Sequence, residues 1–265
     1  KHSFPTRRSS DLFASIWIFT LGLPWRLGAD FFLRHLLDGD PASNTLGWRW
    51  VAGLHTKGKN YTANAWNIAK FTGRRFEPAP RDLDEDAPPL VEDAPTPEPA
   101  PAPPAGRLAD GPVALLITEE DAQPETLGFD MGPVAGVAAL ELSAHRSDAP
   151  VSAAVRAFDR GALEDAALRA HAAGAPMAEL LADVTPHDLA RWAARVGATQ
   201  IATAWIPVGP VRDLVDAARA PLAEAGVELV MLRRPWDDAV WPHATAGFFK
   251  VKQRIPRIID QLALR

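Results

Sequence analysis

Residues 36–53 read LLDGDPASNTLGWRWVAG and gather two carboxylates (Asp38, Asp40), an amide (Asn44) and two indoles (Trp48, Trp50) in one short stretch. That mixture suits a planar polar ligand. Carboxylates and an amide can hydrogen-bond its edge, and indoles can cover its face. Plainer roles exist for the same residues. Aspartates beside Gly39 and Pro41 can be turn formers, and most buried tryptophans are core. The combined spacing, and the elements that hold it, carry the functional reading.

Those elements read as helices. Residues 13–23 (FASIWIFTLGL) are apolar on nearly all sides, which predicts a buried helix inside a helical domain. Pro24 can open a second helix. Phe32, Leu33, Leu36 and Leu37 then fall at helical spacing within residues 28–37. The polar groups emerge at the C-terminal end of that helix, with Pro41 stopping it and Gly39 supplying the turn. Arg34 and His35 fall toward the rim. No second His stands at ligand spacing from His35, so no metal site is expected. Further on, Gly53 and Gly58 mark turns, and residues 64–71 read as a short helix. Lys57, Lys59, Lys70, Arg74 and Arg75 make this part basic.

The series Asp38-Gly39-Asp40, Asn44 and Trp48-Arg49-Trp50-Val51-Ala52-Gly53 closely resembles the flavin-binding core of the DNA photolyase/cryptochrome family. Phe13-Ala14-Ser15 and Trp25 fall in line with it without a gap, so the resemblance covers residues 13–76. It implies bound FAD and light-driven electron transfer. By that resemblance Asn44 would bond the flavin at N5, and Asp38 and Asp40 would contact the ring and its surroundings. Trp48 would be the nearest electron donor and Trp25 the next relay. Trp50 would stack against a flipped-out lesion in damaged DNA. The resemblance covers only the downstream part of a flavin domain. The chain therefore reads as a fragment, with the phosphate-binding residues, an arginine partner of Asp38 and an outer tryptophan expected upstream. FAD binding and a photo-lyase activity on pyrimidine dimers are expected of the intact parent, and only weakly, if at all, of this chain. The alternatives are a cryptochrome-like blue-light sensor, and a non-catalytic α/β binding module beside a vestigial flavin segment.

Length and composition bound the rest. The chain has 265 residues, 47% of them hydrophobic, enough for one to two globular domains. It has no Cys, which excludes disulfides and thiolate metal sites and suits a cytoplasmic protein. The longest apolar run is too short to span a bilayer, and no signal peptide is read. The net charge of -5 hides a split. Residues 13–76 hold eight Lys/Arg against three Asp, a balance of +5, whereas residues 77–265 carry -12. A basic front segment is compatible with nucleic acid, although charge alone favours the plainer reading of a solvated helical surface.

The expected order is four segments. Residues 1–12 (KHSFPTRRSSDL) read like a translated sequencing adapter and are set aside as a non-native artefact; a native basic arm is the alternative. Residues 13–77 form the partial FAD-binding helical domain. Residues 78–110, rich in Pro and Ala, read as a disordered linker. Residues 111–265 read as an α/β domain with a mostly parallel sheet. Strands are expected at 113–118, 137–142, 199–206 and 227–232. Helices are expected at 151–173 with a break near Gly161, at 186–196 with Thr185 as N-cap, at 210–225, and at 248–262 with a kink at Pro256. This unit faintly resembles the α/β domain that photolyases carry before their flavin domain, here in reversed order. It shows no glycine-rich phosphate loop. Asp237, Asp238 and His243 beside Trp236 and Trp241 could line a pocket, or be surface groups and a packed His. The fold class is thus mixed: an all-α fragment, a Pro-rich linker, then α/β.

Overall fold

A computed structural model describes residues 7–93, 98, 101–245 and 248–262, and side chains from residue 9 on. Most of the segment set aside as an artefact, residues 1–6, lies outside them. The described residues fall into two units, one over residues 7–93 with 147–152, the other over 101–146 and from 153 onward.

The first unit is helical. α1 (Arg7–Ser15) runs into a π-helical turn, Ile16–Thr20. α2 (Trp25–His35) starts behind Pro24. α3 (Pro41–Val51) holds the whole SNTLGWRW stretch. Here the structure corrects the sequence reading: Pro41 begins a helix instead of stopping one. Proline suits a first helical position because its missing N–H has no partner there anyway. Asp40 is the N-cap, its carboxylate accepting the Ser43 N–H at 2.6 Å. α4 (Ala65–Phe71) is capped by Asn64 in the same way. Ala14, Ile18, Trp25, Ala29, Trp48, Val51 and Ala52 form the core between α1, α2 and α3. The 13–23 stretch is less buried than expected. Ala14, Ser15 and Ile18 face inward, whereas Phe13, Leu21 and Leu23 are exposed.

Residues 78–93 do not behave as the disordered linker that their composition predicts. Leu90 N–H donates to the Ala52 carbonyl at 2.9 Å. Asn60 Nδ2 donates to the Ala87 carbonyl at 2.8 Å, and Glu85 accepts the Ala65 N–H at 3.0 Å. Gly53 makes the contact possible. Its φ of +81° is costly for other residues, and a Cβ there would stand 2.6 Å from Pro89 Cβ. Proline lowers the entropy lost on docking, so a Pro-rich segment can pack as a strap when its few polar groups find partners.

The second unit holds one five-stranded sheet, every strand parallel, in the order β3-β2-β1-β4-β5. The strands are β1 (Val113–Thr118), β2 (Gly136–Glu141), β3 (Ala178–Ala182), β4 (Gln200–Ala204) and β5 (Glu228–Leu232). Leu116, Leu140, Ile201 and Met231 face one core layer with Trp192, and Leu115, Ile117, Val137 and Ala139 face the other with Leu163 and Ala166. The crossovers are α5 (Ala153–Ala172), α6 (Pro186–Arg195), α7 (Pro210–Ala217) and α8 (Arg219–Glu224). Three short helices close the unit: α9 (Pro235–Val240), α10 (Phe248–Lys252) and α11 (Ile255–Gln261).

Several local expectations need correction. α5 runs unbroken through Gly161, a position open to solvent where one glycine costs only about 1 kcal/mol. The 210–225 helix is two helices joined at Ala218, and Pro256 starts α11 instead of kinking a longer helix. β3 was not expected at all. The parallel α/β class itself stands.

Candidate functional site

A hollow of about 780 Å³ opens beside α3 in the helical unit. Asp38, Asp40, Asn44 and Trp48 all line it, together with Phe13, Phe32, Leu36, Ser43 and Val51. The local fold explains the grouping. Asp38 and Gly39 lie in the α2–α3 connection, Asp40 caps α3, and Asn44 and Trp48 stand one turn apart on one α3 face. Ser9, Ser10 and Asp11 of α1 also contribute.

Each polar group has a definite state. Asn44 Nδ2 donates to the Ala29 carbonyl at 2.8 Å. That fixes the amide and leaves its oxygen and second N–H for a ligand. The Asp40 carboxylate accepts from Ser43, so it holds the helix end as well as facing the hollow. Asp38 is exposed. Trp48 is 2% exposed, and its Nε1–H is buried with no partner. An orphaned buried donor in a native core asks for an acceptor. The Trp48 ring lies against α2 where Gly28 leaves room; a Cβ on Gly28 would fall 2.1 Å from Trp48 Cη2.

Trp25 and Trp50 are not in this lining. Trp50 sits two residues past Trp48, on another face of α3, 43% exposed and stacked on Tyr61 at 6.0 Å. Trp25 is buried at the start of α2. Its Nε1–H donates to Glu92 at 2.7 Å, and Glu92 also bonds Arg49 at 3.1 Å. The indole hydrogen bond is the main cause that holds the Glu92 carboxyl below its ordinary value. Sequence reasoning missed Glu92, hidden among prolines, and Trp17, hidden in an apolar run. Trp17 meets Trp48 edge-on, with centroids 6.3 Å apart.

The donor set fits the ring of a flavin better than its diphosphate. The hollow offers an amide and the apolar surfaces of Phe32, Trp48 and Val51, which match a heterocycle with polar edges. Among the described side chains no Lys or Arg lines it.

In the α/β unit the suspected pocket residues serve structure. Asp237 accepts the Arg234 N–H at the start of α9, Asp238 pairs with Arg233 at 2.8 Å, and Trp241 packs edge-on against Trp205. Among the described residues no cluster of three His, Asp or Glu could hold a metal ion, and no helix is long and apolar enough to cross a membrane.

Residues 4–81 match the family model described as the FAD binding domain of DNA photolyase. The match begins inside the segment set aside as an artefact. A deoxyribodipyrimidine photo-lyase of Streptomyces griseus is 51% identical over 49 residues, 18% of this chain and 11% of that protein. A cryptochrome DASH of Ostreococcus tauri is 42% identical over 76 residues, 29% of this chain and 13% of that protein. Cryptochrome-1 of Arabidopsis thaliana is 32% identical over 65 residues, 24% of this chain and 9% of that protein. The chain thus spans about a tenth of the length of these relatives. No solved structure matches it.

Proposed function

We propose, from the match of residues 4–81 to the FAD binding domain of DNA photolyase, that the hollow beside α3 is one wall of an FAD site in a light-driven DNA repair protein. The supporting observation is that Asp38, Asp40, Asn44 and Trp48 converge on a single hollow. FAD would supply photochemistry and one-electron redox chemistry there. The residues of the chain position and feed it. Asn44, anchored through Nδ2 on Ala29, holds its free oxygen and second N–H at the ring edge. Asp40 keeps the first turn of α3 in place, and Asp38 sits on the open side. Trp48 stands in the hollow as the adjacent donor, because an indole can release one electron from its π-system without breaking a bond. Trp25, in the same core, is the candidate for the next relay. Trp50, exposed and backed by Tyr61, is the candidate surface for an unstacked base. The substrate on this reading is DNA carrying a pyrimidine dimer.

Titration of the purified chain with FAD tests the site, read by flavin fluorescence. Asn44→Ala is expected to weaken binding about tenfold, the worth of one good hydrogen bond to a buried partner. Equal affinity of the two proteins overturns the assignment. Blue-light repair of a dimer-containing oligonucleotide then tests the activity. A blue-light sensor is the second reading, favoured by the cryptochromes among the relatives. Flavin uptake without repair supports it.

A further inference from the structure

We propose that Glu92 tunes Trp25 for its place in the relay: its carboxylate, bonded to the indole N–H, stabilises the charge that Trp25 carries after giving an electron to Trp48. The proposal rests on the reading of Trp48 as the donor beside the flavin and of Trp25 as the next relay. Glu92 acts through Trp25, as a positioning residue. The docked 78–93 strap delivers it. Leu90 N–H donates to the Ala52 carbonyl at 2.9 Å, and two residues further on Glu92 Oε1 accepts the Trp25 Nε1–H at 2.7 Å. Three tryptophans pack in this core, and they differ at the indole N–H. The Trp48 N–H is buried with no partner. The Trp17 N–H donates to a neutral acceptor, the Pro24 carbonyl, at 3.0 Å. Of the three, Trp25 alone has a carboxylate there among the described residues. Loss of an electron makes an indole cationic and its N–H a stronger donor, so a bond to a carboxylate tightens in that step. The positive charge therefore settles better on Trp25 than on Trp48. It also settles better there than on Trp17, although the Trp17 ring meets Trp48 directly.

The cations around Trp25 show why a carboxylate is needed. Arg26 and Arg49 hold their guanidinium carbons 5.2 and 5.7 Å from the Trp25 ring centre. Cations over an indole face bind its electrons and oppose their loss. Glu92 answers both. Its Oε2 accepts from Arg49 at 3.1 Å, and its Oε1 lies 3.6 Å from Arg26. The Arg26 side chain is 74% exposed, so water and salt screen it, whereas Arg49 and Glu92 are partly buried. Without the Glu92 charge, two cations over the ring are left with nothing to offset them.

The step balances simply. Trp48, once it is one electron short, takes one electron from the Trp25 π-system. No bond forms or breaks in that transfer. Trp25 is left as a radical cation, and its Nε1 proton stays on the indole in the bond to Glu92.

Two measurements test this on the full chain. The first needs no flavin. A photogenerated ruthenium(III) complex in solution removes one electron from the protein, and the absorption of the tryptophan radical is followed in time. The rate at Trp25 is the difference between each protein and the same protein carrying Trp25→Phe; no difference at all overturns the proposal. Glu92→Gln keeps an acceptor at Nε1 and the shape of the side chain, and is expected to lower that rate about tenfold. Arg26→Gln, at an exposed position, is expected to raise it roughly threefold and to restore part of the loss in the double variant. A purely structural role for Glu92 gives no such rescue. An unchanged rate in Glu92→Gln, or a fall in Arg26→Gln, overturns the proposal; if Glu92→Gln does not fold, Arg26→Gln decides alone. The second measurement uses the FAD-loaded chain under blue light with a thiol reductant. Glu92→Gln is expected to slow flavin photoreduction about tenfold. An unchanged rate overturns the proposal, and if Trp48→Phe changes nothing either, the reading of Trp48 falls with it. A chain that takes up no flavin removes the reading of the hollow, and the flavin-free rates still decide on Glu92.

Discussion

Gly28 and Trp48 show how one missing methyl shapes the hollow. The Trp48 ring occupies space that any side chain on residue 28 would need. Gly28→Ala forces the buried indole to move, and overpacking of this kind costs about 1–3 kcal/mol. The expected outcome is a lower urea midpoint and a red-shifted tryptophan emission; an unshifted spectrum would mean that the ring is not held there. A second residue carries a pH dependence. Glu119, at the end of β1, has Oε1 buried without a partner, while Oε2 accepts the Leu142 N–H at 2.8 Å. Burial is the main cause that pushes its carboxyl from 4.5 up to about 7, with the nearby Asp159 charge adding to it and Arg146 opposing. The folded chain therefore holds this proton more tightly than the unfolded chain. Stability from this group is greatest below pH 4.5, declines between 4.5 and 7, and stays reduced above, by on the order of 3 kcal/mol. Glu119→Gln keeps an acceptor for Leu142 and removes the charge. Stability measured from pH 4 to 8 should flatten, with the gain appearing only at the alkaline end.

At the scale of elements, α3 depends on its cap. Asp40→Ala removes the acceptor for Ser43 N–H and is expected to cost about 1 kcal/mol by urea unfolding. Asp40→Asn keeps a capping oxygen without the charge. Retained stability with weakened FAD binding in Asp40→Asn separates the two roles of this residue; loss of both would show that its charge, more than the cap, holds α3. The sequence made this element only half legible. Acid, amide and indole spacing is local, so it could be read directly, and the hollow does bring Asp38, Asp40, Asn44 and Trp48 together. The helix that spaces them was hidden because proline both ends helices and begins them, and only the Asp40 side chain decides which. β3 was hidden for another reason. AELLA has no β-branched residue, and its strand state comes from pairing with β2. Trp17 could not be singled out because a π-turn has no sequence signature, and a tryptophan in an apolar run looks like core. Residues 78–93 misled through composition. Their anchors are Glu85, Leu90 and Glu92, each meaningful only against partners far away in sequence.

At the scale of the molecule the charge split matters more than the net charge. Residues 13–76 carry +5, but several cations there are already spent. Arg34 pairs with Asp30, Arg49 with Glu92, and Arg74 with Glu77. Arg26 lies 3.6 Å from Glu92. Lys57, Lys59, Lys70 and Arg75 are exposed and have no acidic partner among the described residues. If DNA docks on this unit, these four cations are, among the described side chains of residues 13–76, the ones free to displace counterions from phosphates. Four phosphate contacts give a slope of about -3.6 in log K against log salt for duplex DNA. Measured binding across a salt series should not fall more steeply than that. Replacing Lys57 and Lys59 by Ala should lower the slope by about two, because each neutralised phosphate contributes about one. The unit from residue 101 onward belongs to the acidic part of the chain, and its arginines are largely paired, as Arg146 with Asp159 and Arg160 with Glu141. It repels a polyanion. A slope steeper than four, or one insensitive to the Lys57 and Lys59 changes, would move the DNA contact away from the helical unit and detach the hollow beside α3 from any role in repair.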